Sequence, residues 1–256
     1  MTRFMRHASW TDALFLHYAV DAEQLQRRLP AGLVVDTFNG VAYVGVVALT
    51  ESGIVPLPPG VPLSFVRCLG LSHEAVNVRT YVRPADGDGP PGIYFFTLDC
   101  NGLLPTIGAF LLFNLPYKLA SMRRAEHSIS SQRVGSAVAV QTQWEPLPEP
   151  DAPADDDQLG RFFVERYALY CTPGPLLRMF MSADSRLWCG TITHAPWPLR
   201  RARLRAFGGI CSSVGVLTAV GLSELVLADG GGGPIAHASS GVGPIEFFWR
   251  GGVACP

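Results

Sequence analysis

The segment from His73 to Leu98, HEAVNVRTYVRPADGDGPPGIYFFTL, constrains the chain more than any other stretch. Its first arm alternates in character. Val76, Val78, Thr80 and Val82 fall on one side, and Ala75, Asn77, Arg79, Tyr81 and Arg83 on the other. Successive strand residues point to opposite faces, so one face is apolar and the other carries an amide, guanidinium groups and a phenol. The stretch PADGDGPPG supplies the residues that a chain reversal needs. The second arm, Ile93 to Leu98, is apolar and aromatic throughout, the pattern of a strand buried on both faces. The segment therefore reads as a β-hairpin. Its polar face has two readings: Arg79 and Arg83 point at water, or Asn77, Arg79 and Tyr81 line a closed cavity.

The remaining chain repeats the strand pattern with few helical interruptions. Phe15 to Val20 reads as a strand, followed by a short helix that Asp21 caps and Pro30 stops. Asn39-Gly40 lies between two apolar runs, a strong hairpin signal, and the nearly continuous apolar run Val41 to Leu49 predicts a central strand. Leu103, Leu104, Ile107, Phe110 and Leu111 recur at helical spacing, which predicts a buried helix over 103–113 ending at Asn114. Tyr117 to Met122 and Ser136 to Trp144 read as strands. Leu159, Phe162, Phe163, Tyr167 and Tyr170 share one broad face, which predicts a helix over 158–170. Arg178 to Met181, Leu187 to Thr193, Arg200 to Phe207 and Ile245 to Trp249 are strand candidates, and 215–225 a short helix. With 27 glycines and 21 prolines marking turns, the expectation is an α+β, mainly β fold. One domain over 1–256 is expected, with an exposed acidic, proline-rich loop at 145–157 and a flexible tail at 250–256.

Several function classes are disfavoured. A net charge of −1 gives no field for nucleic acid or an anionic membrane. The basic run Arg200, Arg201, Arg203 and Arg205 has no interleaved aromatic platform and reads as a solvated face. No convincing membrane span or signal peptide is present, and none of the six cysteines forms a CxxC pair, so reduced thiols in the cytoplasm are expected. His17, His194 and His237 show no metal-ligand spacing. Neither a phosphate-binding loop nor a GxSxG elbow occurs.

Several short strings occur together: WTDALFLHY (10–18), LPAGLVVDTFNGVAYVGVV (29–47), NVRTYV (77–82), GIYFFTLD (92–99), LPYKLASM (115–122), ERYALY (165–170) and HAPWPL (194–199). They resemble, in order and over nearly the whole chain, the uncharacterised YqjF-like family, which is similar in fold to acetoacetate decarboxylase. The resemblance implies an antiparallel β-barrel or cone with a few flanking helices and a central cavity. In acetoacetate decarboxylases a lysine within Gly-Tyr-Pro-Lys-Lys forms a Schiff base with the substrate ketone, and a second lysine helps keep that amine neutral. Asn114-Leu115-Pro116-Tyr117-Lys118 looks like the counterpart, with Tyr117 at the nucleophile position and Lys118 at its neighbour. A phenol cannot form an imine. A slip of one residue would bring Lys118, the single lysine in the chain, into the cavity, at the cost of flipping every side chain of that strand.

The candidate catalytic residues are therefore Arg79, Glu74, Tyr117 and Lys118. Arg79 offers forked donors to a carboxylate or enolate, unless it pairs with Glu74 or Glu165. Glu74 matches an acid that precedes NVRTYV in the family pattern, and serves as an acid–base group or an ordinary strand-start carboxylate. Asn77, Tyr81, Tyr170, His17 and His194 are candidate binding residues, and the tyrosines and histidines also read as satisfied core groups. The expected activity is that of a cofactor-independent enzyme of decarboxylase, dehydratase, cyclase or other lyase type, acting on a carbonyl or carboxylate compound. The alternative is a non-catalytic binder of an apolar carboxylic acid or polyketide-like ligand. Self-association is left open.

Overall fold

The computed structural model describes residues 2–57, 70–148, 152–153, 157–181, 187–210, 215, 218 and 234–252. The strands are β1 (Thr2–His7), β2 (Ser9–Val20), β3 (Leu33–Val35), β4 (Ala42–Pro56), β5 (Leu71–Pro84), β6 (Gly92–Cys100), β7 (Tyr117–Ala125) and β8 (Ser128–Arg133). They continue with β9 (Ala139–Pro146), β10 (Ala152–Pro153), β11 (Ala168–Cys171), β12 (Trp188–Thr193), β13 (Pro198–Gly209), β14 (Ile235–Val242) and β15 (Ile245–Gly252). The helices are α1 (Ala22–Gln26), α2 (Leu103–Phe113), α3 (Gln158–Val164) and α4 (Pro175–Met181).

The expected hairpin is β5 and β6, paired antiparallel from Ala75 opposite Cys100 to Val82 opposite Gly92. The pairing skips Phe96, a bulge next to Arg79. The other edge of β6 is divided, with β11 pairing near Ile93 and β7 pairing from Leu98 to Cys100. Both of these pairings are parallel, so the expectation of a purely antiparallel arrangement is corrected to a mixed sheet. The fork at β6 produces two closed circuits. One runs β1, β15, β12, β11, β6, β5, β4 and back to β1. The other runs β6, β7, β8, β9, β13, β14, β2, β4, β5 and back to β6.

The shared strands explain the continuous apolar runs. Leu14 and Leu16 of β2, Val44 and Val46 of β4, and Val76 and Val78 of β5 join one core with Ile129, Val140 and Trp144. The alternate residues, Phe15, Val47, Leu49 and Tyr81, join a second core with Ile93, Phe163, Ile245 and Phe247. Strands buried on both faces tolerate few polar residues, and each fully buried large side chain contributes about 1.5–3 kcal/mol. A polar side chain on the second core's face is therefore costly unless something compensates it.

Local signals behave largely as expected, and three differ. Asp21 caps α1, its Oδ1 accepting from Gln24 N at 2.8 Å. Asn39 and Gly40 adopt φ of 49° and 82°, the left-handed pair that a tight hairpin requires. Asn114 ends α2 in the left-handed region at φ 48°. However, α2 contains no buried residue, and Leu104 is 68% exposed, because its spacing favours a helix without deciding where the helix packs. The helix expected over 158–170 stops at Val164. Ala168–Cys171 is instead a fully buried strand filling the slot between β6 and β12, so tertiary pairing overrides helical periodicity. Residues 178–181, expected as strand, lie in α4.

Residues 250–252, expected in a tail, continue β15 instead. Within the expected loop, 145–146 end β9 and Ala152–Pro153 pair with β13. The remainder of that loop at 149–151 and 154–156, most of 215–225 and residues 253–256 lie outside the described residues. No helix of the described residues is long and apolar enough to cross a membrane.

Candidate functional site

Inside the β1-containing circuit is a cavity of about 110 Å³. Its wall is mainly apolar, with Phe15, Ile93, Phe95, Leu98 and Phe113 contributing. Four of the sequence candidates reach it: Asn77, Arg79, Tyr117 and His194. Asn77 and Arg79 arrive because alternation along β5 places them on the face opposite Val76 and Val78. Tyr117 arrives at the first position of β7, where that strand begins its parallel pairing with β6.

Arg79 is half-buried. One of its terminal nitrogens, Nη2, donates to the Phe163 carbonyl at 3.2 Å, and among the described residues its buried Nε has no partner. Among the described residues it makes no ion pair. Neither carboxylate considered for it is engaged with it: Glu74 pairs with Arg124, and Glu165 accepts from the Trp197 backbone N–H and the Tyr167 hydroxyl. Asn77 is 5% exposed, and its Oδ1 has no partner among the described residues. The Tyr117 phenol is pushed well above its ordinary pKa by burial and, secondarily, by the Glu51 charge, so it remains a hydrogen-bond donor at neutral pH. His194 is held by its Nδ1, which lies 2.7 Å from the Ala195 carbonyl, and burial lowers its pKa.

The other five candidates lie elsewhere. Glu74 sits on the opposite face of β5, bound to Thr50 and Arg124 beside an open groove of about 630 Å³. Strict alternation is therefore maintained there. Lys118 is exposed and lies next to Asp99 in the pairing of β7 with β6, so the slip that would turn it inward does not occur. The Tyr170 hydroxyl donates to the Pro90 carbonyl at 2.6 Å, away from the cavity. His17 and Tyr81 are fully buried partners, with Nε2 and the hydroxyl 2.6 Å apart and the imidazole stacked on Phe163 at 3.6 Å. Gly45 lies against this pair, and a Cβ there would sit 3.1 Å from the Tyr81 hydroxyl oxygen and 3.2 Å from His17 Cδ2, so the rings would have to give by a few tenths of an ångström.

His17 has a stability consequence. Burial first, then the Arg79 charge, holds its folded pKa well below 6.5. The unfolded chain therefore takes up this proton first as the pH falls. The stabilising contribution is complete above about pH 6.5 and decreases below it, by about 1.4 kcal/mol per pH unit for one such histidine. Buried His73 and His237, also lowered mainly by burial, act with the same sign. Urea unfolding at pH 7.5 and 5.5 measures this, and a protein no less stable at the lower value refutes it.

Sequence reasoning missed two cavity groups, His7 and Glu51. His7 is 3% exposed and Glu51 9%. Their nearest atoms, Nδ1 and Oε2, are 3.2 Å apart. The Glu51 pKa is lowered even though burial, its largest influence, acts upward, because bonding to His7 and Trp10 and the charges of His7 and His73 outweigh that burial. One signal was available. Glu51 continues the face of Val47 and Leu49, where a carboxylate has no reason to be unless it is paired. Arg166 also reaches the cavity, but its Nη1 is engaged by Asp36 at 2.6 Å. Cys100 and Cys171 are free and buried, with thiols pushed up to about 11 and about 12 by burial, so neither is a ready nucleophile.

Comparison with known proteins identifies the fold. Acetoacetate decarboxylase of Legionella pneumophila superposes with a TM-score of 0.58 at 12% identity, covering 98% of this chain and 87% of its own. The enduracididine biosynthesis enzyme MppR, complexed with pyruvate, gives 0.56 at 12% identity, covering 100% and 92%. In sequence, the uncharacterized protein YqjF of Bacillus subtilis (strain 168) is 30% identical over 203 residues, 76% of this chain and 74% of YqjF. The model of DUF2071, described as an uncharacterized conserved protein, matches residues 7–242. With that match over most of its length and a relative at this identity, the chain belongs to the DUF2071 family and has the fold of acetoacetate decarboxylase.

Proposed function

We propose that the protein is a small-molecule enzyme acting, without a cofactor, on a carbonyl or carboxylate compound held in the cavity beside Arg79. The observation that carries this reading is a guanidinium in a mainly apolar wall with no carboxylate paired to it among the described residues. A cation in such surroundings favours an anionic ligand, and its fork fits a carboxylate. A water molecule's share of liquid volume is about 30 Å³, so a cavity of about 110 Å³ suits a compound of few carbons. The pyruvate complex of MppR supports this size and charge. Asn77 and Tyr117 supply the polar contacts that would orient a carbonyl, and Tyr117 in particular a donor to oxygen that becomes negative.

The test is ligand-observed NMR with acetate, pyruvate, acetoacetate and benzoate, followed by product analysis. Saturation transfer to the short oxo acids is expected, with chemical change in at least one of them. Binding without change would favour the alternative, a binder of apolar carboxylic acids, for which the phenyl-rich wall is the supporting observation. If no carboxylate binds, the reading fails.

An imine route is not part of this proposal, because Lys118 is exposed away from the cavity. Borohydride treatment with pyruvate present should therefore leave Lys118 unmodified on peptide mapping. A reduced adduct there would restore the decarboxylase-type mechanism.

A further inference from the structure

We propose that His7 is the proton-transfer residue of this cavity, and that Trp10 and Glu51 set which form of its ring faces the ligand. The inference rests on the functional reading above and extends it to the reacting atom. His7 ends β1, where that strand leaves its pairing with β4, and lines the cavity. Its ring is packed against Phe247 at 4.7 Å. Two groups meet at its Nδ1: the Trp10 indole nitrogen at 2.8 Å and a Glu51 carboxylate oxygen at 3.2 Å. Its Nε2 is buried and, among the described residues, has no hydrogen-bond partner.

An indole N–H can only donate, and an ionised carboxylate can only accept. Nδ1 can therefore satisfy one of them at a time, and when it donates to Glu51 the Trp10 indole can turn its own donation to that carboxylate. When it accepts from Trp10, the neutral ring carries its proton on Nε2 and offers the cavity a donor. When it donates to Glu51, the neutral ring leaves a lone pair on Nε2 and offers a base. Nε2 can thus take or give a proton while the ring stays in place. His73 lies opposite Glu51 in the pairing of β4 with β5, with Nε2 4.0 Å from the same carboxylate oxygen, which places a second imidazole against that charge.

The compound this arrangement takes is a 2-oxo acid. The Nε2 lone pair takes a proton from the carbon next to the carbonyl. The electrons of that C–H bond form the enolate C=C, and the carbonyl π pair moves onto oxygen, where Arg79 and Tyr117 can stabilise it. Reversal returns a proton from Nε2 to carbon, so no oxidant, reductant or second substrate is needed.

The probe is pyruvate in D2O, with loss of methyl protons followed by NMR. Wild-type protein should accelerate exchange, and His7→Gln and Glu51→Gln should each slow it by about 100-fold or more, the usual scale of acid–base assistance. Binding of pyruvate, read by saturation transfer, should persist in both variants because Arg79 is untouched. A second readout needs no ligand. Histidine side-chain ¹⁵N shifts should move toward the Nδ1–H tautomer in Trp10→Phe and toward the Nε2–H tautomer in Glu51→Gln, for the signals that His7→Gln removes. Bound pyruvate exchanging equally fast in wild type and Glu51→Gln would overturn this inference and leave the proposed function standing. So would His7 signals indifferent to both neighbours. If pyruvate does not bind, the functional reading loses that ligand, and the ¹⁵N shifts still decide whether the tautomers respond.

Discussion

Replacing Arg79 with methionine should lower the affinity for small carboxylates by about tenfold to a hundredfold. The methionine keeps most of the apolar stem and removes the charge. Hydrogen bonds to a charged group contribute about 1.5–3 kcal/mol, and each 1.4 kcal/mol is a factor of ten in affinity. Stability should change little, because the substitution removes a cation with no acidic partner among the described residues, at the loss of its bonds to the Phe163 carbonyl and the Tyr81 hydroxyl. Arg79→Lys should recover only part of the loss, since an ammonium keeps the charge and loses the fork. Calorimetry with pyruvate and acetate measures both variants. Equal affinity in wild type and Arg79→Met would remove the reason for placing a carboxylate there.

Asp36→Ala should have the largest effect on stability. Asp36 is 8% exposed and binds Arg166 at 2.6 Å through one oxygen and Arg83 at 2.9 Å through the other. Arg166 is equally buried, with its guanidinium 4.1 Å from the Phe162 ring centroid and 5.2 Å from that of Tyr81. Burial lowers its pKa, and Asp36 is the principal opposing influence, while Arg79 adds to the lowering. Removing the carboxylate leaves a buried cation uncompensated near another. Breaking a buried pair in this way costs about 3–5 kcal/mol. At roughly 2–4 °C per kcal/mol for a chain of this size, the melting temperature falls by roughly 6–20 °C. The pair Asp36→Leu with Arg166→Met should recover most of that loss, because both charges go together. Thermal unfolding of the three proteins decides it, and a single variant within about 1 kcal/mol of wild type would refute the account.

These two sites differ in how readable they were. Arg79 could be singled out because β5 alternates without interruption from Ala75 to Val82, so its face follows from its position. Its partnership with Glu74 or Glu165 could not be decided, since that depends on which strands lie across from it. Asp36 gave no signal at all. It lies between β3 and β4 and meets Arg166 from a distant part of the chain only after α3 ends early. His7 and Glu51 likewise come from separate strands, and only closure of β1 onto β4 brings them together. Tyr117 was placed by resemblance, and the structure puts its side chain on the cavity wall while Lys118 turns outward.

By itself the sequence determined the local features: the alternation of β5, the capped start of α1, the Asn-Gly reversal and the end of α2 at Asn114. Each depends on residues within a few positions of one another, where backbone sterics and hydrogen bonding act locally. Tertiary structure alone decided the parallel joins at β6, the conversion of 168–171 into strand, the surface position of α2 and the membership of the cavity. Those outcomes depend on which distant segments compete for the same edge or the same buried volume, and no local pattern encodes the winner of that competition.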